Sequence, residues 1–323
     1  MMKIFVTGGA GFIGSNYVRW LMKNSDAEIT VFDALTYAGV RANLAEFDDS
    51  SRFNFVEGDI TSRDDVAAAL PGHSHVVHFA AESHVDRSIM GPDAFINTNV
   101  AGTNIMCDIA RQNDVERFLH ISTDEVYGSI EEGSFKETDG LEPRSPYSAS
   151  KASSDLVALA YRETYGLPVV ITRSANQFGP YQFPEKVIPL FVTNLADDLK
   201  VPLYGDGLNI RDWTFVVDNC AGVHMVLEQG VEGEVYNIGA GNELTNKELT
   251  YAILERCGKS EDSIEFVEDR LGHDRRYSID TTKIRALGWA PENTFEHGLD
   301  ETVAWYQQNR DWWEPLKASV KNR

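Results

Sequence analysis

Short apolar, β-branched runs alternate with longer stretches of helical periodicity through the first half of the chain. Lys3–Thr7, Glu28–Asp33, Phe53–Glu57, His75–Ala80 and Arg117–Ser122 read as strands, the last ending at Thr123, and Val169–Arg173 adds another. Between them Phe12–Lys23, Arg63–Leu70, Thr98–Asn113 and Ser148–Tyr165 read as helices. Strands that alternate with helices are joined by crossovers, which cover both faces of a parallel sheet. The expected class is therefore α/β, built on a doubly wound parallel sheet. After residue 180 the rhythm breaks at Pro180, Pro184, Pro189 and Pro202. We expect a main domain of residues 1–180 plus about 212–240, and a smaller C-terminal α/β lobe of residues 181–211 and 241–323.

Composition narrows the functional classes. Hydrophobic residues make up 42% and aromatics 11% of 323 residues, ample for a packed core and too many for a disordered chain. No apolar run approaches the roughly 20 residues that a membrane-spanning helix needs. The first residues, Met1 to Gly8, carry no signal-like apolar stretch, so a cytoplasmic protein is expected. Cys107, Cys220 and Cys257 are odd in number and far apart, which suits a reducing compartment and argues against a disulfide framework. The net charge of −21 repels nucleic acid and anionic lipid, so neither is an expected partner. An anionic substrate would need basic residues gathered around its site. His73, His75 and His78 straddle a turn and a strand, a poor basis for convergent ligation, so no metal is expected.

The strongest chemical signal is Thr7-Gly8-Gly9-Ala10-Gly11-Phe12-Ile13-Gly14, which follows the first strand and opens a helix. Gly8 permits the tight turn, Gly11 lets backbone amides approach a pyrophosphate, and Gly14 lets the helix pack on the strand. Asp33 ends the second strand nineteen residues after Gly14, where a ribose-binding acid is expected. A carboxylate accepts from a 2′-hydroxyl and repels a 2′-phosphate, so the pattern predicts NAD bound to a Rossmann-type sheet. Arg41 lies nearby in sequence but too far along to reverse that preference. Asp59, after the third strand, suits the adenine or a helix N-cap equally well.

Tyr147 and Lys151 stand four apart at the start of a helical pattern, hence on one face. A neighbouring ammonium lowers a phenol's pKa and can also hold the nicotinamide ribose, giving a usable base near neutral pH. Upstream, the strand end Ser122-Thr123-Asp124-Glu125 offers a hydroxyl from Thr123 and two adjacent carboxyls, at the sheet edge where open α/β folds bind ligands. The same acids could form only the first turn of a short helix. Beside a hydride-transfer site, an acid and a base side by side suggest more than simple oxidation.

The glycine motif and the Tyr147/Lys151 pair resemble the extended short-chain dehydrogenase/reductase superfamily. Within it, Thr123-Asp124-Glu125-Val126-Tyr127-Gly128 resembles the signature of the dTDP-glucose 4,6-dehydratase family; sugar-nucleotide 4-epimerases usually carry small or hydroxyl residues at the two acid positions. Asp33–Gly39, Ala80–Ser88, Gly179–Lys186, Tyr204–Gly207, Ile210–Trp213 and Gly272–Tyr277 extend the resemblance over nearly the whole chain. Val40 and Leu271 depart from the family's usual Asn and Pro.

The resemblance implies oxidation of a sugar nucleotide, dTDP-glucose, at C4, loss of water across C5–C6 and reduction at C6, with NAD regenerated. Tyr147 would take the O4 proton, Glu125 the C5 proton, and protonated Asp124 would release the C6 hydroxyl as water. It further implies Phe12, Ile13, Thr36, Ile60, Ala80, Ala81, Ser83, Thr98 and Gln177 at the cofactor. Arg211, Lys186 and Arg270 would meet the diphosphate, Asn176, Asn246 and Tyr204 the nucleotide, with His84 and His273 closing the pocket and Val187 and Pro202 lining it. A homodimer through the helices at Thr98–Asn113 and Ser148–Tyr165 is also implied. Another nucleotide-sugar dehydratase, a 4-epimerase or decarboxylase, or a redox-sensing module on an inactive dehydrogenase fold are the competing readings. The base preference rests on resemblance, since a single methyl is worth only about 1–3 kcal/mol.

Overall fold

The structure, a computed structural model, describes residues 2–269 and 272–321. Seven parallel strands form the main sheet: β1 (Lys3–Thr7), β2 (Glu28–Asp33), β3 (Phe53–Glu57), β4 (His75–His78), β5 (Arg117–Thr123), β6 (Val169–Ser174) and β10 (Val235–Ile238). Their order is β3-β2-β1-β4-β5-β6-β10, so the winding reverses between β1 and β4. At such a switch point the loops leaving two adjacent strands diverge and open a crevice at their carboxyl ends.

Alternation along the strands builds a core on each face. Ile4, Val6, Ile29, Val31, Val77 and Leu119 pack with α1 (Phe12–Asn24) and α8 (Val216–Gln229) through Tyr17, Leu21, Val223 and Leu227. Phe5, Phe32, Val76 and Phe118 face the other way, towards α2 (Arg63–Ala69), α5 (Thr103–Gln112) and α6 (Pro146–Tyr165). The short helices α3 (Val85–Met90) and α4 (Pro92–Phe95) lie between β4 and α5 in the chain. The main sheet is thus the doubly wound α/β layer that the alternation predicts.

The remaining strands form two small sheets: β7 (Asn176–Phe178), β9 (Ile210–Phe215) and β11 (Glu243–Thr245), and the parallel pair β8 (Val201–Tyr204) with β12 (Ile264–Val267). A separate core joins Phe178, Trp213 and Phe215 to residues of α7 (Val187–Ala196), α9 (Asn246–Arg256), α11 (Phe295–Gln308) and α12 (Arg310–Lys321). The helix α10 (Thr282–Ala286) returns to the main sheet, where Ile284 packs.

Two elements differ from the sequence reading. Strand β4 stops at His78, because Ala80 leaves the ladder to pack under Gly8, its amide donating to Thr7 Oγ1 at 3.2 Å. The helix expected over Thr98–Asn113 is α-helical only from Thr103; Ile96–Gly102 is a π-helical turn. The widened turn aims Asn99 inward, where its amide bonds both backbone groups of Glu82 at 2.8 and 3.0 Å and Ser150 Oγ at 2.8 Å. Helix α6 begins two residues before the expected Ser148, on a Ser145/Ser148 capping box with Pro146 in its first turn, and ends at left-handed Gly166.

Candidate active site

Two confluent cavities, of about 320 and 200 Å³, open at the carboxyl edge of the main sheet. They share Glu125, Asn176, Gln177, Gln182, Glu185 and Lys186.

The larger cavity starts at the β1–α1 turn. A Cβ on Gly8 would lie 2.6 Å from the Ala80 amide, and one on Gly14 would lie 2.3 Å from the Gly8 carbonyl, so backbone packing demands both glycines. Gly8 also has φ +69°, the left-handed region. At Gly11 a Cβ would meet only the Gly8 carbonyl, at 3.3 Å. Helix α1 has no side-chain N-cap and no acid in its first turn, which leaves its first amides to face an anion. Asp33 Oδ2 accepts from the Ala10 amide and Oδ1 from the Leu35 amide, both at 2.9 Å. Burial raises its pKa and these two amides oppose the rise. Arg41 is ion-paired with Asp48 and lies over the Phe55 ring, outside the cavity lining. Thr36, Asp59, Ile60, Ala80, Ala81, Ser83, Thr98 and Gln177 line the same cavity with Phe12 and Ile13. Asp59 is not an N-cap: Ser62 caps α2, and Asp59 Oδ1 instead accepts from the Thr61 amide at 2.8 Å. A pyrophosphate-facing helix end and a ribose-facing carboxylate suit NAD.

At the end of β5, Thr123 caps a 3₁₀ turn formed by Asp124–Tyr127, so the two acids are both its first turn and part of the cavity wall. Thr123 Oγ1 donates to Asp124 Oδ1 at 3.2 Å and accepts from the Glu125 amide at 3.3 Å. Asp124 is 3% exposed. Burial, then Glu125, raises its pKa well above the carboxylate range against the pull of Arg211. Five buried polar atoms on this wall have no hydrogen-bond partner among the described residues: Ser122 Oγ, Asp124 Oδ2, Ser174 Oγ, Asn176 Oδ1 and Gln182 Oε1. Each buried group left unbonded costs about 1–3 kcal/mol, so their convergence on one cavity marks a polar ligand's seat.

Tyr147 and Lys151 rise from the first turns of α6 into the same wall. The expected lowering of the phenol's pKa is reversed. Burial, then Glu125, pushes Tyr147 up, opposed by a hydrogen bond with Thr123. Lys151 Nζ instead donates to the Ile121 carbonyl at 2.7 Å, and burial brings its own pKa down to about 8.

The smaller cavity is lined by His84, Asn176, Lys186, Val187, Pro202, Tyr204, Arg211, Asn246 and His273. Arg211 is 7% exposed; its guanidinium lies 4.0 Å over the Tyr277 ring and donates to the Asp274 carbonyl at 2.9 Å. Lys186 Nζ donates to the Ser83 carbonyl at 2.9 Å, bridging the two cavities. His273 Nδ1 lies 2.6 Å from Asp269 Oδ1. Arg270 and Leu271 lie outside the described residues. His78 sits between Thr7 and Thr103, His75 on Ser74 and His73 on the Leu70 carbonyl, three separate environments.

Sequence reasoning missed several lining residues. Tyr37 packs edge-on to Phe183 under the Arg87 guanidinium and is hydrogen-bonded to Glu185, which straps three loops over the larger cavity. Tyr277 donates to Asp274 Oδ2 at 2.9 Å in the smaller one. Both lie in segments that carry the family resemblance, the only signal that points to them.

The family model for GDP-mannose 4,6 dehydratase matches residues 5–302. The low-salt glycan biosynthesis protein Agl12 of Haloferax volcanii is 56% identical, the match covering 94% of this chain and 98% of that protein. A dTDP-glucose 4,6-dehydratase of Streptomyces niveus is 52% identical over 98% of this chain and 96% of its own. The crystal structure of DesIV, a dTDP-glucose 4,6-dehydratase from Streptomyces venezuelae with NAD and TYD bound, superposes with a TM-score of 0.96. It is 55% identical and covers 98% of this chain and all of that one. Likeness at this level, over nearly the whole length of the chain, makes it a member of the dTDP-glucose 4,6-dehydratase family.

Proposed function

We propose that this enzyme is an NAD-dependent hydro-lyase that converts dTDP-glucose to dTDP-4-keto-6-deoxyglucose and water. The observation that carries the reading is the pair Asp124 and Glu125, adjacent in sequence, in different environments, at the junction of the cofactor and substrate cavities. An epimerase has no use for such a pair.

The chemistry supplied by bound NAD is a reversible two-electron exchange with the hexose, first at C4 and later at C6. Gly8, Gly11, Gly14 and Asp33 would hold it, with Lys151 at the nicotinamide ribose. The chain's own residues do the proton work. Tyr147 takes the O4 proton while Thr123 orients that oxygen; burial and Glu125 hold the phenol up, so the positive charge of bound NAD and the Lys151 ammonium would have to bring it to the phenolate. A C4 ketone acidifies C5, and Glu125 removes the C5 proton. Asp124, kept in its acid form by burial and by Glu125, donates to the C6 hydroxyl, which leaves as water. Glu125 then returns a proton to C5. Arg211 and Lys186 supply the cations that a diphosphate needs on a protein of net charge −21.

Residues 1–180 with about 212–240 form the cofactor-binding unit and the rest, apart from α10 on the main sheet, the sugar-nucleotide lobe, a division supported by the separate core of α7, α9, α11 and α12. A homodimer through the α5 and α6 side is supported by the exposed apolar Met90, Ile96, Leu156 and Tyr165. No helix among the described residues is long and apolar enough to cross a membrane, and we place the enzyme in the cytoplasm. Incubation with dTDP-, UDP-, GDP- and CDP-glucose, followed by alkaline absorbance of the 4-keto-6-deoxy product, tests the reading. Product from dTDP-glucose first is expected; an unchanged C6 oxygen in all four refutes it.

A further inference from the structure

Beneath Tyr147 and Lys151 lies a charged cluster that lines neither cavity. Asp155, one helical turn beyond Lys151 on α6, is fully buried, as is His120 of β5, and Arg173 of β6 is 4% exposed. Arg173 Nε donates to Asp155 Oδ2 at 2.9 Å, and His120 Nε2 lies 3.3 Å from Asp155 Oδ1. Arg173 Nη1 donates to the Tyr127 hydroxyl at 2.9 Å, which in turn donates to Asn237 Oδ1 at 2.8 Å. Asp155 thus pairs directly with Arg173 and stands one helical turn from the buried Lys151, whose ammonium is bonded to the Ile121 carbonyl. Burial of charge at this depth is costly unless paired, and nothing in the reaction proposed above uses Asp155 directly.

We infer that Asp155 is a positioning residue: from below, it holds Lys151 as an ammonium at the cofactor wall, while Arg173 and His120 hold Asp155 itself ionised. The inference rests on the reading of Tyr147 and Lys151 as the acid–base pair.

The groups around Lys151 leave this task to Asp155. The titratable groups that feel its charge are Asp155 of α6, His120 of β5 and His78 of β4, while Tyr147, Asp124 and Glu125 share its cavity wall. The His78 and His120 rings are 5.5 Å apart, and burial drives both towards the neutral form. Asp124 is held as the neutral acid. Asp155 is the group that raises the Lys151 pKa against burial, and His120 and Arg173 lower that of Asp155.

The test is the pH profile of kcat in the NAD-loaded enzyme. Loss of the carboxylate in Asp155→Asn is expected to move the alkaline limb to lower pH by about one unit or more, the scale of a lost opposite charge at close range. Asp155→Glu is expected to bring the limb back towards the parent. A merely structural role would lower yield or melting temperature and leave the limb in place, and that result overturns the inference. If Asp155→Asn does not fold, the double variant Asp155→Asn/Arg173→Gln is compared with Arg173→Gln alone: a limb at lower pH in the double variant is expected, and coincident limbs overturn the inference. Lys151→Met separates the two failures. If it retains activity, the pair reading is wrong; if it is inactive while the Asp155 limb is unmoved, only the positioning role is wrong.

Discussion

The reaction asks two neighbouring carboxyls to play opposite parts, and their surroundings already separate them. Asp124 is buried with one oxygen on Thr123 and the other facing the cavity, whereas Glu125 borders both cavities. Asp124→Asn should therefore slow water loss by about 10²–10⁴-fold, the usual worth of a general acid. C4 oxidation should fall far less. Single-turnover traces of nicotinamide reduction against product formation check this, and equal loss of both steps would disprove the division of roles. The buried histidines make a second, pH-linked prediction. His120 is pushed down to about 4 from 6.5, so its folded form resists protonation. Its contribution to stability is full above pH 6.5 and is lost as pH falls from there through about 4, up to about 3 kcal/mol. Asp212, pushed up to about 6 by burial, has the opposite sign and loses its contribution as pH rises through that value. Denaturant melts from pH 7 to 4 should show a shallower acid loss in His120→Gln than in the parent.

At the scale of elements, the β1–α1 turn is fixed by backbone contact. A methyl on Gly14 would press on Gly8 and Gly9 main-chain atoms, none of which can rotate away. Gly14→Ala should cost about 1–3 kcal/mol through overpacking, and should strip NAD from the purified enzyme, because the helix N-terminus moves off the pyrophosphate. Calorimetry and nucleotide content after gel filtration measure both. Most of this element was legible beforehand: strand alternation, the glycine spacing and Asp33 at the strand end are local signals. The π-turn at Ile96–Gly102 was not, because its cause is Asn99 bonding Glu82 and Ser150, partners far from it in sequence.

For the whole molecule the governing quantity is charge. Fifty acidic residues face twenty-nine basic ones, so like-charge repulsion outweighs surface ion pairs such as Arg275–Asp206. Raising KCl from about 0.1 to 1 M shortens the screening length from about 10 to 3 Å. The melting temperature should then rise by several degrees. A flat or falling curve would show that the ion pairs dominate instead. The cations Arg211 and Lys186 stand out against this acidic background, gathered at the smaller cavity.

Local order along the chain was enough to specify the alternating strands and helices, the dinucleotide turn, the choice of Asp33 over a phosphate-binding cation, and the acid pair after β5. These depend on neighbours within a few residues, where backbone geometry and side-chain periodicity set the outcome. The protonation of Tyr147, Lys151 and Asp124 depends instead on what burial removes and which charges other strands bring near. The expected Lys151 effect on Tyr147 failed for that reason: the ammonium found the Ile121 carbonyl, and Glu125 found the phenol. Electric fields inside a protein are sums over atoms close in space, and no spacing along a sequence carries that sum.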